Sequence, residues 1–164
     1  MAHDTAATES IADRYESLVR QAILTATAFR SPEAALAMLD EAVALDPARA
    51  EAHHNRGVLL DQLGRAEESV AALDAALARD PAHREAAINR AFILGRDGGA
   101  EAGVPAWRAV VERWPDDHAA AFNLAVLLEQ AGERDATLEA VDRALAVQAF
   151  PEGEALRARL RGES

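Results

Sequence analysis

The sequence contains no cysteine, and only 4% of its 164 residues are aromatic. Without cysteine the chain forms no disulfide and offers no thiolate ligand to a metal ion. It has no run of about 18 apolar residues that would span a bilayer. The first residues have no basic start followed by an apolar stretch, so we expect no signal peptide. These absences predict a soluble, cytoplasmic protein.

Positive charge is also scarce. The chain has no lysine, so its 17 basic residues are all arginine. With 28 acidic residues, the formal net charge is −11. An acidic chain repels phosphate groups, so we expect no nucleic-acid partner and favour neutral or basic ones. Abundant alanine and arginine without lysine is typical of a GC-rich, bacterial genome.

Hydrophobic residues make up 50% of the chain, and alanine and leucine supply much of that fraction. Alanine has the highest helix propensity and lets helices approach closely. The alternating β-branched and aromatic runs that indicate strands are missing. The composition therefore predicts an all-α fold.

Proline, glycine and asparagine recur at an interval of 34 residues. This agreement among residue types predicts tandem repeats, here 50–83, 84–117 and 118–151. Each repeat has the pattern of a helix, a glycine turn, a second helix and a stop; in the first we predict helices over 52–63 and 66–79. The recurring residues are Pro47, Pro81 and Pro115; Gly64, Gly98 and Gly132; and Asn55, Asn89 and Asn123.

This pattern resembles the tetratricopeptide repeat (TPR). Numbered from 1, a repeat of that family has small residues at positions 8, 20 and 27, apolar residues at 11 and 24, and proline at 32. The first repeat matches at all six, with Gly57, Leu60, Ser69, Leu73, Ala76 and Pro81. The second has Ala91, Leu94, Gly103, Trp107, Val110 and Pro115, with Val110 slightly large for position 27. The third matches except at Ala149, where proline is expected.

A weaker unit, 16–49, precedes these repeats and matches only in its second helix. We predict a long N-terminal helix that closes the stack, opened by a capping box of Ser10 and Asp13. We expect residues 1–8 to be flexible, 9–151 to form the TPR domain, and 152–164 to form a capping helix and tail with Leu156 and Leu160 on its apolar side. The apolar face of the N-terminal helix comprises Ile11, Tyr15, Leu18, Val19, Ala22, Ile23 and Ala26.

The resemblance implies a right-handed α-solenoid of stacked antiparallel helix pairs, with a concave groove lined by the first helix of each pair. In that family, ligand contacts come from positions 2, 5, 6, 9, 12 and 13. An amide at position 6 has donors and an acceptor for a peptide backbone, and apolar residues at position 9 would select side chains. The candidate peptide-binding residues are Asn55, Asn89, Asn123, His54, Val58, Ile88, Phe92, Phe122, Val126, Gln62, Arg96 and Gln130.

Structural roles are the alternative for several of these residues. The asparagines would then cap or link neighbouring helices, because buried amides need partners. Phe92 and Phe122 would pack between repeats. Arg56 and Arg90, at position 7, are interpreted as side chains whose stems pack while their heads reach carboxylates, with an anion site at the groove edge as the alternative.

One ligand class of the family is not expected here. Members that bind chaperone tails hold a C-terminal carboxylate with basic residues at defined positions. In this chain that basic clamp is missing in both possible registers. With 50–83 as the first repeat, the corresponding residues are His54, Val58, Asn89, Ala119 and Asn123; one unit earlier they are Arg20, Leu24, Asn55, Glu85 and Asn89.

No pattern in the sequence indicates catalysis, a cofactor or a metal site. The histidines show no spacing that places two ligands on one helix turn, and His83 and His118 are expected at solvated junctions between repeats. No phosphate-binding loop or nucleophile motif is present, since Gly95, Gly98 and Gly99 are assigned to a repeat turn. We expect neither enzyme activity nor membrane association.

The leading hypothesis is a non-catalytic scaffold or adaptor that binds a peptide or helix segment of a neutral to basic partner protein in its groove. The alternative is a homodimeric chaperone similar to the translocator chaperones of bacterial type III secretion, dimerising through the N-terminal helix. An enzyme or small-molecule sensor is the residual possibility.

Overall fold

The chain forms helices joined by short turns in a computed structural model that describes residues 10–28 and 30–163. Within those ranges there is no strand, which confirms the all-α prediction. The chain divides into two compact units, one ending at His83 and one beginning at Arg84. The stretch predicted to be flexible, 1–8, lies outside the described residues.

The first unit consists of two helical hairpins. Helix α1 pairs with α2, α3 pairs with α4, and α3 also packs against α2 and α1. Their bounds are α1 Ile11–Thr27, α2 Pro32–Leu45, α3 Ala50–Gln62 and α4 Ala66–Arg79. The predicted capping box is confirmed, because the Asp13 N–H donates to Ser10 Oγ over 3.1 Å and the Asp13 side chain accepts from the Ser10 backbone.

The face predicted for the N-terminal helix is only partly right. Tyr15, Val19 and Ala22 are buried in the core of the first unit, as expected. Ile11 and Ile23 are 65% and 45% exposed, however. Leu18 and Ala26 are partly buried and pack against the same core, so the prediction is wrong for Ile11 and Ile23 alone.

Tyr15 connects the first helix to the third. Its hydroxyl accepts a hydrogen bond from the Ala52 N–H over 2.9 Å, and its side chain is fully buried. Ala52 lies in the first turn of α3, which receives no side-chain cap from its own N-cap residue. A side chain from another helix therefore satisfies one of the free N–H groups at this helix start. Burial raises the pKa of the Tyr15 hydroxyl, so it stays protonated.

The second unit begins with a long, kinked helix. Its bounds are α5 Arg84–Arg113, α6 His118–Gln130, α7 Arg134–Val147 and α8 Pro151–Arg161. Helix α6 packs between α5 and α7, and α8 lies against α7. Leu156 of α8 is buried and Leu160 packs against the same core, which contains Trp107, Leu128 and Val141.

Helix α6 begins with a buried acidic cap. Asp117 accepts from the Ala120 N–H over 2.9 Å and from Arg84 Nη2 over 2.6 Å. Burial opposes ionisation of this carboxyl group, yet these hydrogen bonds hold its pKa below the ordinary value. The start of α6 is therefore bound to the start of α5 by a charged hydrogen bond.

The turn of the second repeat differs from the prediction. Gly64 and Gly132 have φ of 73° and 78°, as glycine turns require, but in the second repeat the left-handed residue is Gly99, not Gly98. Gly99 has φ 63° and ψ −156°, a conformation open essentially to glycine alone. Gly95, assigned to the turn from the sequence, lies in the helix before the kink. Gly98, the predicted turn residue, therefore remains in the first segment of α5, and the segment ends later than predicted.

Small residues bring the paired helices together, as the repeat pattern implies. In the first unit a Cβ at Gly57 would lie 2.7 Å from Leu73 Cγ, and the Ser69 hydroxyl donates to the Gly57 carbonyl over 2.7 Å. In the second unit a Cβ at Gly103 would lie 2.6 Å from Gly95 Cα. The two segments of α5 therefore touch backbone to backbone.

None of the described helices combines the length and the apolar character needed to cross a bilayer.

Candidate functional site

In the first unit, three predicted contact residues line one pocket. Asn55 and Val58 are half-buried and Gln62 is exposed, all on the same side of α3. They border an open pocket of about 200 Å³ whose other wall comes mainly from α1. The remaining lining residues are Ala22, Ile23, Ala26, Thr27, Leu39 and Leu59.

The second unit has a larger pocket between α5 and α6, of about 350 Å³. Five predicted contact residues line it: Phe92 and Arg96 from α5, and Asn123, Val126 and Gln130 from α6. The other lining residues are Gly95, Gly99, Trp107 and Leu127.

The two pockets share a chemical pattern. In each, the lining α-helix contributes asparagine at position 6, valine at position 9 and glutamine at position 13. These positions lie on one stripe of a helix, so the three side chains point into the same space. We call each set an Asn-Val-Gln triad; the first is Asn55, Val58 and Gln62, and the second is Asn123, Val126 and Gln130.

The amides of both triads are available to a ligand. Within the described part of the chain, the side chains of Asn55, Gln62, Asn123 and Gln130 make no hydrogen bond. Asn89 differs, because it already interacts with another group of the chain and lines neither pocket. The three asparagines predicted as one ladder therefore do not have one environment.

Other predicted contact residues take part in packing. The His54 ring lies against the His83 ring, with centroids 4.5 Å apart. Phe122 meets Phe150 edge to face at 5.0 Å, and Ile88 packs against the core of the second unit. Phe92 is the exception, since 54% of its surface is exposed. Of the two phenylalanines, Phe92 lines the second pocket, whereas Phe122 packs against Phe150.

Two histidines expected to be solvated are not. His83 and His118 are half-buried, and each packs against another ring, His83 on His54 and His118 on Phe150 at 5.8 Å. Each ring pair joins the first helix of a repeat, α3 or α6, to the turn that follows the second helix of the same repeat. His53 is buried, its Nε2 donates to the Pro47 carbonyl over 3.2 Å, and burial lowers its pKa. Among the described residues no cluster of three potential metal ligands exists.

The arginines near the pockets are paired. Arg56 Nε donates to Asp40 Oδ1 over 2.6 Å, which confirms the interpretation that its head reaches a carboxylate. Arg96 makes two hydrogen bonds of 2.7 Å to the carboxylate of Asp97, its neighbour in sequence. Neither pocket lining contains an acidic residue. Both pockets are therefore close to neutral, in contrast to the acidic chain.

Sequence reasoning missed several lining residues. Ile23 and Thr27 stand at positions 8 and 12 of the unit 16–49, whose first helix departs from the repeat pattern, so neither was selected as a contact residue. Gly95 stands at position 12 of the second repeat, a contact position, but carries no side chain to suggest a role. Trp107 stands at position 24, a packing position in the family. It also borders the pocket, next to Gly95, which has no side chain to cover the indole.

Three solved structures similar to this chain share about a fifth of its sequence. MamA from Desulfovibrio magneticus RS-1 is 20% identical, with a TM-score of 0.79, and the match covers 93% of this chain and 86% of that one. YrrB, described as a TPR protein with an unusual peptide-binding site, is 18% identical with a TM-score of 0.73, covering 94% and 83%. A tetratricopeptide repeat protein from Parabacteroides merdae is 19% identical with a TM-score of 0.80, covering 91% and 60%.

These likenesses show the fold, an all-α arrangement of TPR helices, as predicted. A comparison with curated proteins found no match. The sequence itself matches the tetratricopeptide repeat over residues 21–84 and 89–154. Because the two segments span most of the chain, the protein belongs to the tetratricopeptide repeat family, whose repeats generally mediate protein–protein interaction.

Proposed function

We propose that this protein is a non-catalytic cytoplasmic scaffold that binds a segment of a partner polypeptide on the first helices of its repeats. The observation that carries the proposal is the Asn-Val-Gln triad, which lines a pocket in each unit and whose amides make no hydrogen bond within the described chain. A capping or linking role would give these amides a partner within the chain, and among the described residues they have none.

The chemistry of a triad suits an extended peptide. Each amide offers a carbonyl acceptor and two N–H donors, which match the alternating donors and acceptors of a peptide backbone. The valine between the amides provides an apolar contact for a side chain. Because backbone groups are the same in every sequence, the amides would supply affinity and the walls of each pocket would supply selectivity.

The charge of the protein affects partner binding both at long range and inside the pockets. The net charge of −11 attracts basic polypeptides over long distances and does not repel neutral ones. At the pockets the lining residues carry no acidic group, so the bound segment itself is expected to be uncharged where it enters them. A basic partner with an uncharged binding segment satisfies both conditions.

Loss of the triad asparagines should weaken partner binding without weakening the fold. Affinity capture from native lysate identifies a partner, and calorimetry with a peptide from it then gives the affinity. We expect Asn55→Ala combined with Asn123→Ala to reduce affinity about tenfold or more, because each variant removes hydrogen bonds to the ligand. Adding Asn89→Ala should change affinity little, since Asn89 lines neither pocket.

The matched control is Gln148→Ala, which removes an exposed amide that lines neither pocket. It should bind the peptide as the unaltered protein does. If the double variant keeps both its melting temperature and its affinity, the triads do not hold the ligand.

A homodimeric chaperone is the second candidate, and the surface of α1 favours it. Ile11, Ile23 and Leu24 are 65%, 45% and 52% exposed, which gives this helix an apolar surface. Light scattering should then yield a mass twice the 17.5 kDa of the chain, and Ile23→Ser should return it to one chain. A monomer at micromolar concentration contradicts the dimeric chaperone and leaves the scaffold proposal intact.

A further inference from the structure

The second pocket contains a hydrogen-bond donor that the repeat pattern does not require. Trp107 is 3% exposed, and within the described chain its indole N–H has no acceptor. This nitrogen is not among the atoms fully shielded from solvent, so the N–H is accessible. A buried indole normally has a partner for its N–H, because an unsatisfied donor is costly in an apolar environment.

Gly95 leaves this donor open to the pocket. A Cβ at residue 95 would lie 3.6 Å from Trp107 Nε1 and 2.9 Å from Leu127 Cδ1. Gly95 and Trp107 both line the pocket, so the missing side chain forms a passage to the indole nitrogen. Any larger residue at position 95 would close it.

The rest of the pocket is suited to an aromatic ring. Phe92 exposes 54% of its surface at one side, and the Arg96 guanidinium lies 5.9 Å from the centre of that ring. Val126 and Leu127 provide apolar contacts from α6. Aromatic rings pack well on an exposed phenylalanine in edge-to-face or offset arrangements.

The polar groups of the pocket favour a neutral ligand atom over a carboxylate. Arg96 is already bound to Asp97 through two hydrogen bonds, so its charge is largely compensated. Burying a carboxylate beside a compensated arginine would cost desolvation energy without a matching gain. A hydroxyl group can instead accept from the indole N–H and donate its own hydrogen to an amide oxygen of Asn123 or Gln130, which line the same pocket.

We propose that the pocket between α5 and α6 binds a tyrosine side chain of the partner polypeptide, with the Trp107 indole N–H donating to the phenol oxygen. This inference rests on the proposed function, since it names the side chain that one pocket of the scaffold selects. The ring lies between Phe92 and the α6 residues, and the hydroxyl group reaches the indole past Gly95.

The test uses p-cresol, the side-chain analogue of tyrosine, and toluene, the analogue of phenylalanine. In ¹⁵N-labelled full-length Trp114→Phe protein, Trp107 gives the one indole N–H signal, because the sequence has two tryptophans. We expect p-cresol to move this signal downfield and to bind about fivefold more tightly than toluene, the usual effect of one hydrogen bond. Adding 4-methylbenzoate tests the carboxylate, which should bind more weakly than p-cresol.

Three variants test the geometry. Gly95→Ala should block the passage, and Phe92→Ala should remove the ring contact, so each should weaken p-cresol binding at least fivefold. Trp107→Phe should equalise the affinities for p-cresol and toluene. The matched control is Leu24→Ala, which removes a side chain 52% exposed in the first unit and should leave p-cresol binding unchanged.

Equal binding of p-cresol and toluene, an unmoved indole signal, or tighter binding of 4-methylbenzoate overturns the tyrosine assignment. These outcomes do not affect the scaffold proposal, which depends on the response of peptide affinity to Asn55→Ala and Asn123→Ala. Phe92→Ala keeps the test valid if Gly95→Ala alters the fold, because Phe92 is exposed and its loss leaves the core intact.

Discussion

Replacing Gly103 by alanine is expected to lower the free energy of unfolding of the second unit by about 3 kcal/mol. The new Cβ would lie 2.6 Å from Gly95 Cα and 2.5 Å from Leu127 Cδ1. A leucine tip can rotate away, but the Gly95 backbone belongs to the helix segment on the other side of the kink. The two segments of α5 would have to separate, and contacts with Trp107 beside them would be lost.

The measurement is urea unfolding followed by tryptophan fluorescence, because Trp107 and Trp114 both lie in the second unit. Gly95→Ala is the matched control, since it makes the same substitution in the partner glycine. Of the atoms around its Cβ, only the flexible end of Leu127, at 2.9 Å, is so close that it would have to move. We expect its loss to be below about 1 kcal/mol, since alanine also raises helix propensity. Equal losses in the two variants would show that the backbone contact at Gly103 is not the constraint.

Replacing Tyr15 by alanine should destabilise the first unit by about 4 kcal/mol, the usual cost of deleting a large buried aromatic side chain. Tyr15 is fully buried between α1 and α3, and the Arg49 guanidinium lies 4.0 Å from the centre of its ring. Its removal leaves both a cavity and an N–H without a partner at Ala52. Thermal unfolding followed by far-UV circular dichroism measures the loss.

Tyr15→Phe separates the two contributions, because it keeps the ring and removes only the hydroxyl. We expect it to cost about 1–2 kcal/mol, since it leaves the Ala52 N–H buried and unsatisfied. Hydrogen exchange at the Ala52 amide should become faster in this variant, while the Ala120 amide, which Asp117 caps in the second unit, should exchange as before. Unchanged exchange at Ala52 would contradict the capping role of Tyr15.

Much of the fold was predictable because it depends on local and periodic features. The 34-residue interval, the turn at Gly64 and the capping box at Ser10 each follow from residue types at fixed spacing. The turn of the second repeat was misplaced by one residue because Gly98 and Gly99 are adjacent and both permit a left-handed conformation. The chain bends at Gly99, and the two helix segments then meet where Gly103 packs against Gly95, a contact that no local pattern encodes.

The candidate site was predictable where a side chain's direction follows from its helix position. The triad residues at positions 6, 9 and 13 line pockets for this reason. His54 and Phe122 occupy contact positions as well, but His83 and Phe150 cover them with rings from segments outside those helices. The position of a residue in the repeat predicts the direction of its side chain. Whether that side chain is exposed also depends on which residues of the following turns pack against it.

The repetition of the Asn-Val-Gln triad in pockets with different walls has a consequence for engineering. The first triad faces Ile23 and Thr27, whereas the second faces Phe92 and Arg96. If the amides bind the peptide backbone and the walls select side chains, the wall residues can be substituted in one pocket at a time. The amides would still bind the backbone of any peptide sequence. Substitutions at residues 23, 27, 92 and 96 would then change which peptide sequence the protein binds, while the triads stay the same.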